Sequence, residues 1–438
     1  MKKIFIIILG SLFFFVNVNA ETFLSAIKKA YENNSELNAE RENIIVSEQD
    51  LKISQSSYLP SITLEGTKSQ EDTSKLTNQS GGNASISDVD PETRSVSITQ
   101  TLIDFGRGAD LAKNKIGIDL AKAKLLKKEQ DILYKAVEAY TGLILANEKL
   151  EINRSNVELL SRQVETDRIR LSRGQISLSD VSQSESSLAG AQAKFIQAEN
   201  DFMTSKLNYE NVIGKIFDPQ SLDKSSITIY ELPGSLITAI NLAEQNNPDL
   251  KIAILEYEQA KKDKSIARSD LAPTAKLSFE RSYAEDFNST YDEREKDVLT
   301  ATVSWPFFSG GKNIANYKKN KSLETRKRLI LDSAIKQNQT NVASAWSNYK
   351  SNKSLLTSVQ SQVKAAEIAN EGITAEYNSG AGRSTLEVIQ SNTLLLDAQI
   401  SLADSERNFI LSQFNLLKSL GLLSSDYLKF WYLLVFLI

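Results

Sequence analysis

The sequence contains no cysteine and no histidine among its 438 residues. Without cysteine there can be no disulfide bond and no thiolate metal site. Without histidine, imidazole zinc sites, Ser-His-Asp and Cys-His nucleophile systems and histidine proton shuttles are also excluded. A carboxylate-dependent glycosidase remains conceivable, but no pair of acids stands in a pocket-like context. We therefore predict that the chain is not an enzyme and that it binds no cofactor or metal.

A surplus of positive charge is also missing. The chain has 51 Lys and Arg against 55 Asp and Glu, a net charge of −4. Removal of Lys2 and Lys3 with a cleaved leader would change this to 49 − 55 = −6. Proteins that bind nucleic acid need a basic face, so we expect no nucleic-acid partner.

Long apolar runs are confined to the two ends of the chain. Lys2 and Lys3 precede the apolar run from Ile4 to Val16, and Val18-Asn19-Ala20 has the small residues of a cleavage site. This pattern predicts a secretory signal peptide at residues 1–20, with an uncleaved anchor as the alternative. The wholly apolar tail from Phe430 to Ile438 is too short to span a membrane as a helix. A membrane location would therefore require strands closed into a β-barrel.

The remaining sequence is duplicated. Residues 23–37 match residues 236–250 at a constant offset of 213, which still holds at Leu59-Pro60 against Ala272-Pro273. Each copy is predicted to form a short amphipathic helix, an Asn-Asn break and a longer helix that ends before proline. We therefore divide the chain into a first repeat at 21–230, a second repeat at 231–427 and an apolar tail of unknown role at 428–438.

After each of these prolines the apolar residues alternate with a period of about two, which indicates strands. We predict one strand pair within 61–103 and another within 274–305. The linkers between paired strands are polar, and we interpret them as solvated hairpin loops or, alternatively, as a binding site for something extracellular. Each strand is long enough to cross a bilayer when tilted, but four strands cannot close a barrel. A membrane role therefore requires several chains to pool their strands.

Each strand pair is followed by a long helical hairpin, predicted at 109–214 and 312–421. The returning helix of each hairpin carries large residues at a seven-residue spacing, and a companion row of small residues lies three positions further on. Such a pattern is typical of a coiled-coil seam. The seam residues are Val181, Leu188, Phe195, Phe202 and Tyr209 in the first copy and Val388, Leu395, Leu402, Phe409 and Leu416 in the second.

The two hairpin reversals differ in their polar residues. We expect Ser179 and Ser384 to cap the returning helices, with Asp180 and Glu387 in the first helical turn. Capping does not account for Tyr377 and Arg383, which we expect to reach an acid on a neighbouring hairpin.

Signal peptide, tandem repeats, strand pairs, glycine turns and long helices together resemble the TolC family of outer-membrane channels, over about residues 21–427. The resemblance implies an α+β membrane protein that assembles as a homotrimer. Four strands per chain would form a twelve-stranded barrel in outer-membrane lipid, continuous with a long α-helical coiled-coil barrel in the periplasm. It also implies a passive exit duct for drug efflux or type I protein secretion. A periplasmic adaptor protein and an inner-membrane pump of the RND, ABC or MFS type would drive it.

The resemblance further implies a gate at the periplasmic end that opens when the coiled coils untwist. Ser179-Asp180 resembles the family's Thr-Asp pair, and Arg383 and Tyr377 resemble its arginine and tyrosine. Glu387 and Gln390 stand where the family's best-known member has two constriction aspartates. We predict that Asp180 and Arg383 link neighbouring coiled coils and hold the entrance shut. The alternative interpretation of the chain is a periplasmic adaptor, although that class normally has a single central hairpin.

Overall fold

The computed structural model describes residues 22–427, apart from 73, 76, 78, 83–88, 217, 223, 226, 228–231, 289, 290 and 381. The predicted signal peptide and the apolar tail lie outside the described residues. Both repeats contain the same order of elements: two short helices, two strands and two long helices. The first repeat comprises α1 (Phe23–Asn33), α2 (Ser35–Ser56), β1 (Ser61–Lys68), β2 (Glu92–Ile103), α3 (Arg107–Ser172) and α4 (Leu178–Val212). The second comprises α5 (Leu236–Asn246), α6 (Pro248–Ser269), β3 (Thr274–Glu285), β4 (Arg294–Ser304), α7 (Lys312–Ser379) and α8 (Thr385–Ser419).

The Asn-Asn breaks in the sequence are helix caps. Asn34 accepts a hydrogen bond from the Leu37 amide at the start of α2. Asn247 does the same for Asp249 and Leu250 at the start of α6. An asparagine side chain that accepts from the first turn replaces the helical bonds which those amides lack. The cap also lets the chain change direction between the two helices.

The long helices are uninterrupted because all seven prolines lie outside α3, α4, α7 and α8. Helix α3 has 66 residues and α7 has 68, so each is about 100 Å long at 1.5 Å per residue. Helices α4 and α8 pack back along them with 35 residues each. Among the described residues, no helix is both long enough and apolar enough to cross a membrane.

The four strands form one antiparallel sheet in the order β1-β2-β3-β4. Its centre is the β2–β3 pair, which joins the two repeats, with Ile98 opposite Phe279. Among the described residues, strands β1 and β4 pair on one side only and form the edges of the sheet. The described sheet of one chain therefore has two open edges.

The main hydrophobic core lies near the middle of α3 and the C-terminal ends of α4 and α8, where α1 packs against them. Phe23 makes an edge-to-face contact with Tyr140, with ring centroids 5.3 Å apart, and also contacts Phe414 at 5.5 Å. Tyr140 and Tyr209 are both fully buried there. Helix α1 thus braces the hairpins where α4 and α8 end.

The seam residues are buried to different degrees within one chain. Val181, Tyr209, Val388 and Leu416 are buried, whereas the other six are partly buried. In the companion row, Ala191 and Ala198 are buried in the first copy, as are Ser391, Ala398, Ser405 and Ser412 in the second. Small side chains in such a buried row allow paired helices to approach closely.

Candidate gate at the hairpin tips

The returning helix begins with the same capping box in both hairpins. Ser177 Oγ accepts from the Asp180 amide at 3.3 Å, and the Asp180 carboxylate accepts from the Ser177 amide at 2.9 Å. Ser384 and Glu387 form the equivalent bonds at 3.2 Å and 2.8 Å. Each box satisfies two amides that the helix end leaves unpaired. The prediction of Ser384 as a cap is confirmed.

The prediction that Ser179 caps α4 is wrong. Ser177 is the cap, and Ser179 is exposed within the first turn. The physical reason is the spacing of the acid, because a capping box needs its partner three residues after the cap. Asp180 stands three residues after Ser177, whereas Ser182 occupies that place after Ser179.

A buried carboxylate joins the two hairpins close to their tips. Asp167, on α3, is fully buried, and its Oδ1 accepts a hydrogen bond from the Tyr377 hydroxyl of α7 at 2.7 Å. Its other oxygen accepts from the Ser184 hydroxyl of α4. Gln163 Nε2 also donates to Oδ1 at 2.9 Å. A buried charge is costly unless hydrogen bonds satisfy it, and here three side chains from three helices do so.

Tyr377 is fixed on its other sides as well. Its hydroxyl lies 3.1 Å from Thr385 Oγ1 of α8, and the Arg170 guanidinium stacks on its ring at 4.1 Å from the centroid. Burial, together with the Asp167 carboxylate, raises the pKa of the Tyr377 phenol above its usual value. The phenol is therefore protonated at neutral pH and can donate to Asp167. We call Asp167, Ser184, Tyr377 and Thr385 the tip cluster.

Arg383 lies at the exposed end of the second hairpin and bonds to two acids of its own chain. Its Nε donates to Glu376 at 2.6 Å and its Nη1 to Glu387 at 2.8 Å. The Ser384 amide and the Arg383 guanidinium lower the pKa of Glu387 to about 2. Hydrogen bonds from Ser177 likewise lower the pKa of Asp180. Both carboxylates are thus ionised at neutral pH.

The predicted gate residues therefore fall into two groups. Tyr377 does reach an acid of the other hairpin, but that acid is Asp167. Within one described chain Asp180 and Arg383 do not bond to each other, because each has partners on its own hairpin. The predicted link between Asp180 and Arg383 of neighbouring chains stays a prediction. Gln390 is exposed on the first turns of α8.

Sequence reasoning missed Asp167. The signal that could have found it is its position in an otherwise apolar row, since Leu160, Val164 and Asp167 are spaced as one face of a helix. All three are buried. In the second repeat the equivalent position is Thr374, 207 residues later, so the charge belongs to only one copy.

Comparison with known proteins agrees with the tandem fold. The family model described as outer membrane efflux protein matches residues 26–215 and 239–422. The outer membrane efflux protein BepC of Brucella suis is 25% identical over 411 residues, covering 93% of this chain and 87% of BepC. The outer membrane protein TolC of Vibrio cholerae is 22% identical, covering 93% and 92%. The crystal structure of CusC superposes with a TM-score of 0.79 at 17% identity and covers 91% of this chain and 92% of that one.

Proposed function

The chain belongs to the outer membrane efflux protein family, and on that premise we propose that it is an exit duct for tripartite drug efflux, type I protein secretion or both. Its relatives are outer-membrane proteins, and this chain is an outer-membrane channel protein of the same kind. The repeated long hairpins, two in each chain, argue against the adaptor alternative, whose class has a single central hairpin.

The observation that carries the proposal is the sheet, whose central rows are apolar on one face and mainly polar on the other. The register aligns Ile62, Ile98, Phe279 and Leu299 across all four strands, and the adjacent row on the opposite face is Thr63, Ser97, Glu280 and Val298. Such two-sidedness suits lipid outside and water inside. Open edges at β1 and β4 cost unpaired backbone groups in lipid. We propose that three chains join edge to edge in a twelve-stranded barrel.

The long hairpins would then continue the duct below the membrane as a helical barrel. In this proposal the duct is passive, and a periplasmic adaptor protein and an inner-membrane pump supply direction and energy. The partly buried seam residues of one chain, among them Leu188 and Leu395, support packing against further helices of the trimer. The wall of the tunnel would be the coiled coils themselves.

The gate would lie at the hairpin tips, at the end of the molecule opposite the sheet. We propose that the Asp167–Tyr377 bond holds the second hairpin against the first within a chain. Arg383 would hold neighbouring chains together through Asp180, in competition with the contacts it has within its own chain. Contact with the adaptor would open the entrance by untwisting the coiled coils, which requires these polar contacts to separate.

Two measurements on the purified protein test the proposed function. The mass of the detergent-solubilised protein, measured by light scattering, is expected to be that of three chains. Its insertion into planar bilayers is expected to give stepwise conductance. A monomer that gives no conductance would refute the proposal, and extraction with the periplasmic fraction instead of the outer membrane would favour the adaptor alternative.

A further inference from the structure

The junction between the sheet and the helices differs between the repeats in its exposed residues. In the second repeat, Trp305, Phe307 and Phe308 follow β4 directly and are 60%, 82% and 85% exposed. Trp305 continues the alternation of Leu299 and Val303, which β4 places on the apolar face of the sheet. Three exposed aromatic rings at one place need an explanation, because folding alone would bury them.

The aromatic residues are held in position. Trp305 Nε1 donates to the Leu271 carbonyl at 3.1 Å, and its ring meets that of Phe307 edge to face at 5.5 Å. Tryptophan with a fixed polar atom and an exposed apolar ring suits the boundary between hydrocarbon and headgroups. This places the lower edge of the apolar face at the start of α7.

Immediately beyond the aromatic residues, α7 begins with a run of unpaired positive charge. Residues 312–323 contain four lysines and no acid, and all four lysines are exposed. At 1.5 Å per residue they lie within about 15 Å of the helix start. Among the described residues none of the four has an ion-pair partner in its own chain. We call Lys312, Lys318, Lys319 and Lys321 the lysine patch.

The next lysine along α7 and the first acid of α7 both form ion pairs with α6. Lys327 bonds to Glu256 at 2.6 Å, and Lys264 bonds to Glu324, the first acid of α7, at 2.6 Å. In the first repeat the junction cation Arg107 is buried and donates to the carbonyls of Ser57 and Thr101. Among the described residues, the start of α7 therefore carries four exposed lysines without an ion pair, where the first repeat has a buried arginine.

We propose that the lysine patch and the aromatic residues above it form a binding surface for anionic phospholipid of the membrane leaflet that faces the helices. The aromatic rings would contact the acyl boundary, and the lysines would contact the phosphate-bearing headgroups. The proposal rests on the proposed function in one respect, namely that the sheet is the membrane segment. The chain would then prefer anionic to zwitterionic lipid at a fixed depth on every subunit.

Native mass spectrometry of the purified protein tests the preference. Phosphatidylglycerol and phosphatidylethanolamine are titrated separately into the same detergent, and bound lipid is counted. The wild-type protein is expected to bind phosphatidylglycerol more tightly, by on the order of fivefold for each lysine that engages the lipid. The variant with Lys312, Lys318, Lys319 and Lys321 changed to glutamine is expected to bind both lipids equally.

The matched control is Lys353→Gln with Lys364→Gln, two exposed lysines further along α7. It removes charge from the same helix about 60 to 80 Å from its start and is expected to keep the preference. If the fourfold variant does not assemble, K318Q/K319Q alone is expected to reduce the preference. Inorganic phosphate in excess is expected to leave bound phosphatidylglycerol in place.

Three results would overturn the inference. These are an unchanged lipid preference in the variants, an equal loss in the control, and complete displacement of the lipid by inorganic phosphate. If the variants lose the trimer and the wild type shows no lipid preference, the inference is also overturned. The lysines would then pair with acids of a neighbouring chain. Conductance of the wild-type protein in bilayers of neutral lipid is a separate readout, whose failure would refute the proposed function instead.

Discussion

At the scale of single residues, Asp167 has the greatest influence on the candidate gate. It receives hydrogen bonds from α3, α4 and α7, so one carboxylate fixes the relative position of both hairpins near their tips. Hydrogen bonds to a charged group are stronger than those between neutral groups. Loss of any one donor would leave this buried carboxylate less well satisfied.

Asp167→Asn is expected to loosen the tips, because it replaces one accepting oxygen by an NH2 group, which is itself a donor and would face another donor. A lost hydrogen bond to a charged group costs about 1.5–3 kcal/mol, which corresponds to roughly 10- to 100-fold more local opening. Tyr377→Phe is expected to act in the same direction, and the double variant to exceed either single one only slightly. The rate of limited trypsin cleavage after Arg170 and Arg383 measures the opening.

The control is Asp201→Asn. Asp201 accepts from Gln197 four residues earlier at 2.8 Å, as Asp167 does from Gln163, but it is exposed and lies on one helix only. Cleavage of this variant is expected to match the wild type. Equal acceleration in both variants would mean that the cross-hairpin bond is not the cause.

At the scale of the elements, the ends of the helices fix the hairpins in register with the short helices. Asn247 caps α6 with its carbonyl oxygen, and its Nδ2 donates to the Ser419 carbonyl at the end of α8. Gly421 lies directly beyond, with a positive φ of 75°. A Cβ atom there would stand 2.4 Å from the carbonyl carbon of Asn246. Close approach of two backbones thus joins α8 to the α5–α6 turn.

Gly421→Ala is expected to destabilise the protein, because both the left-handed conformation and the contact with Asn246 exclude a methyl group. The conformation costs about 1–2 kcal/mol and overpacking about 1–3 kcal/mol more. Gly372→Ala is the matched control, since this exposed glycine in α7 has no neighbour within 4 Å of an added Cβ. It is expected to stabilise by about 0.5–1 kcal/mol. Thermal denaturation monitored by circular dichroism should move in opposite directions for the two variants.

At the scale of the whole molecule, the repeats share one architecture but differ in charge at both ends. The tip cluster takes its acid from the first repeat and its tyrosine from the second. Arg383 occurs only in the second, as does the lysine patch at the other end of the helices. A duplicated chain can thus build non-equivalent surfaces that alternate around an assembly.

Arg383→Ser is expected to raise single-channel conductance in planar bilayers, because it removes a cation that neutralises Glu376 and Glu387 and is available to a neighbouring chain. The pKa of Glu387 is lowered from the ordinary value of 4.5 to about 2. The ion pair with Arg383 therefore contributes fully above pH 4.5 and is lost as the pH falls towards about 2. The increase should therefore be the same throughout pH 5 to 8.

Arg168→Ser provides the comparison. Arg168 bonds to Glu185 at 2.6 Å across the first hairpin and is exposed, like Arg383. Its loss is expected to leave conductance unchanged. Equal conductance of Arg383→Ser and the wild type would exclude a role for Arg383 in closure.

The sequence by itself determined the family, the duplication and the type of each element. The spacing of the apolar residues changes between helical and strand periods at prolines and glycines. Such local patterns indicate the type of each element without reference to the tertiary structure. The absence of prolines from the hairpins likewise predicted helices of unusual length. The capping pair of Ser384 and Glu387 could be identified because a capping box lies within four consecutive residues.

Only the tertiary structure decided which polar residues meet. Asp167 and Tyr377 are 210 positions apart, and their contact depends on the relative rotation of two helices each about 100 Å long. The sequence offered Asp180 and Arg383 as the conspicuous charged pair. Each of them is instead satisfied by close neighbours in its own turn, because a partner three or four residues away costs little chain entropy to reach. Long-range polar contacts depend on how the helices pack, and the local spacing of residues does not determine that packing.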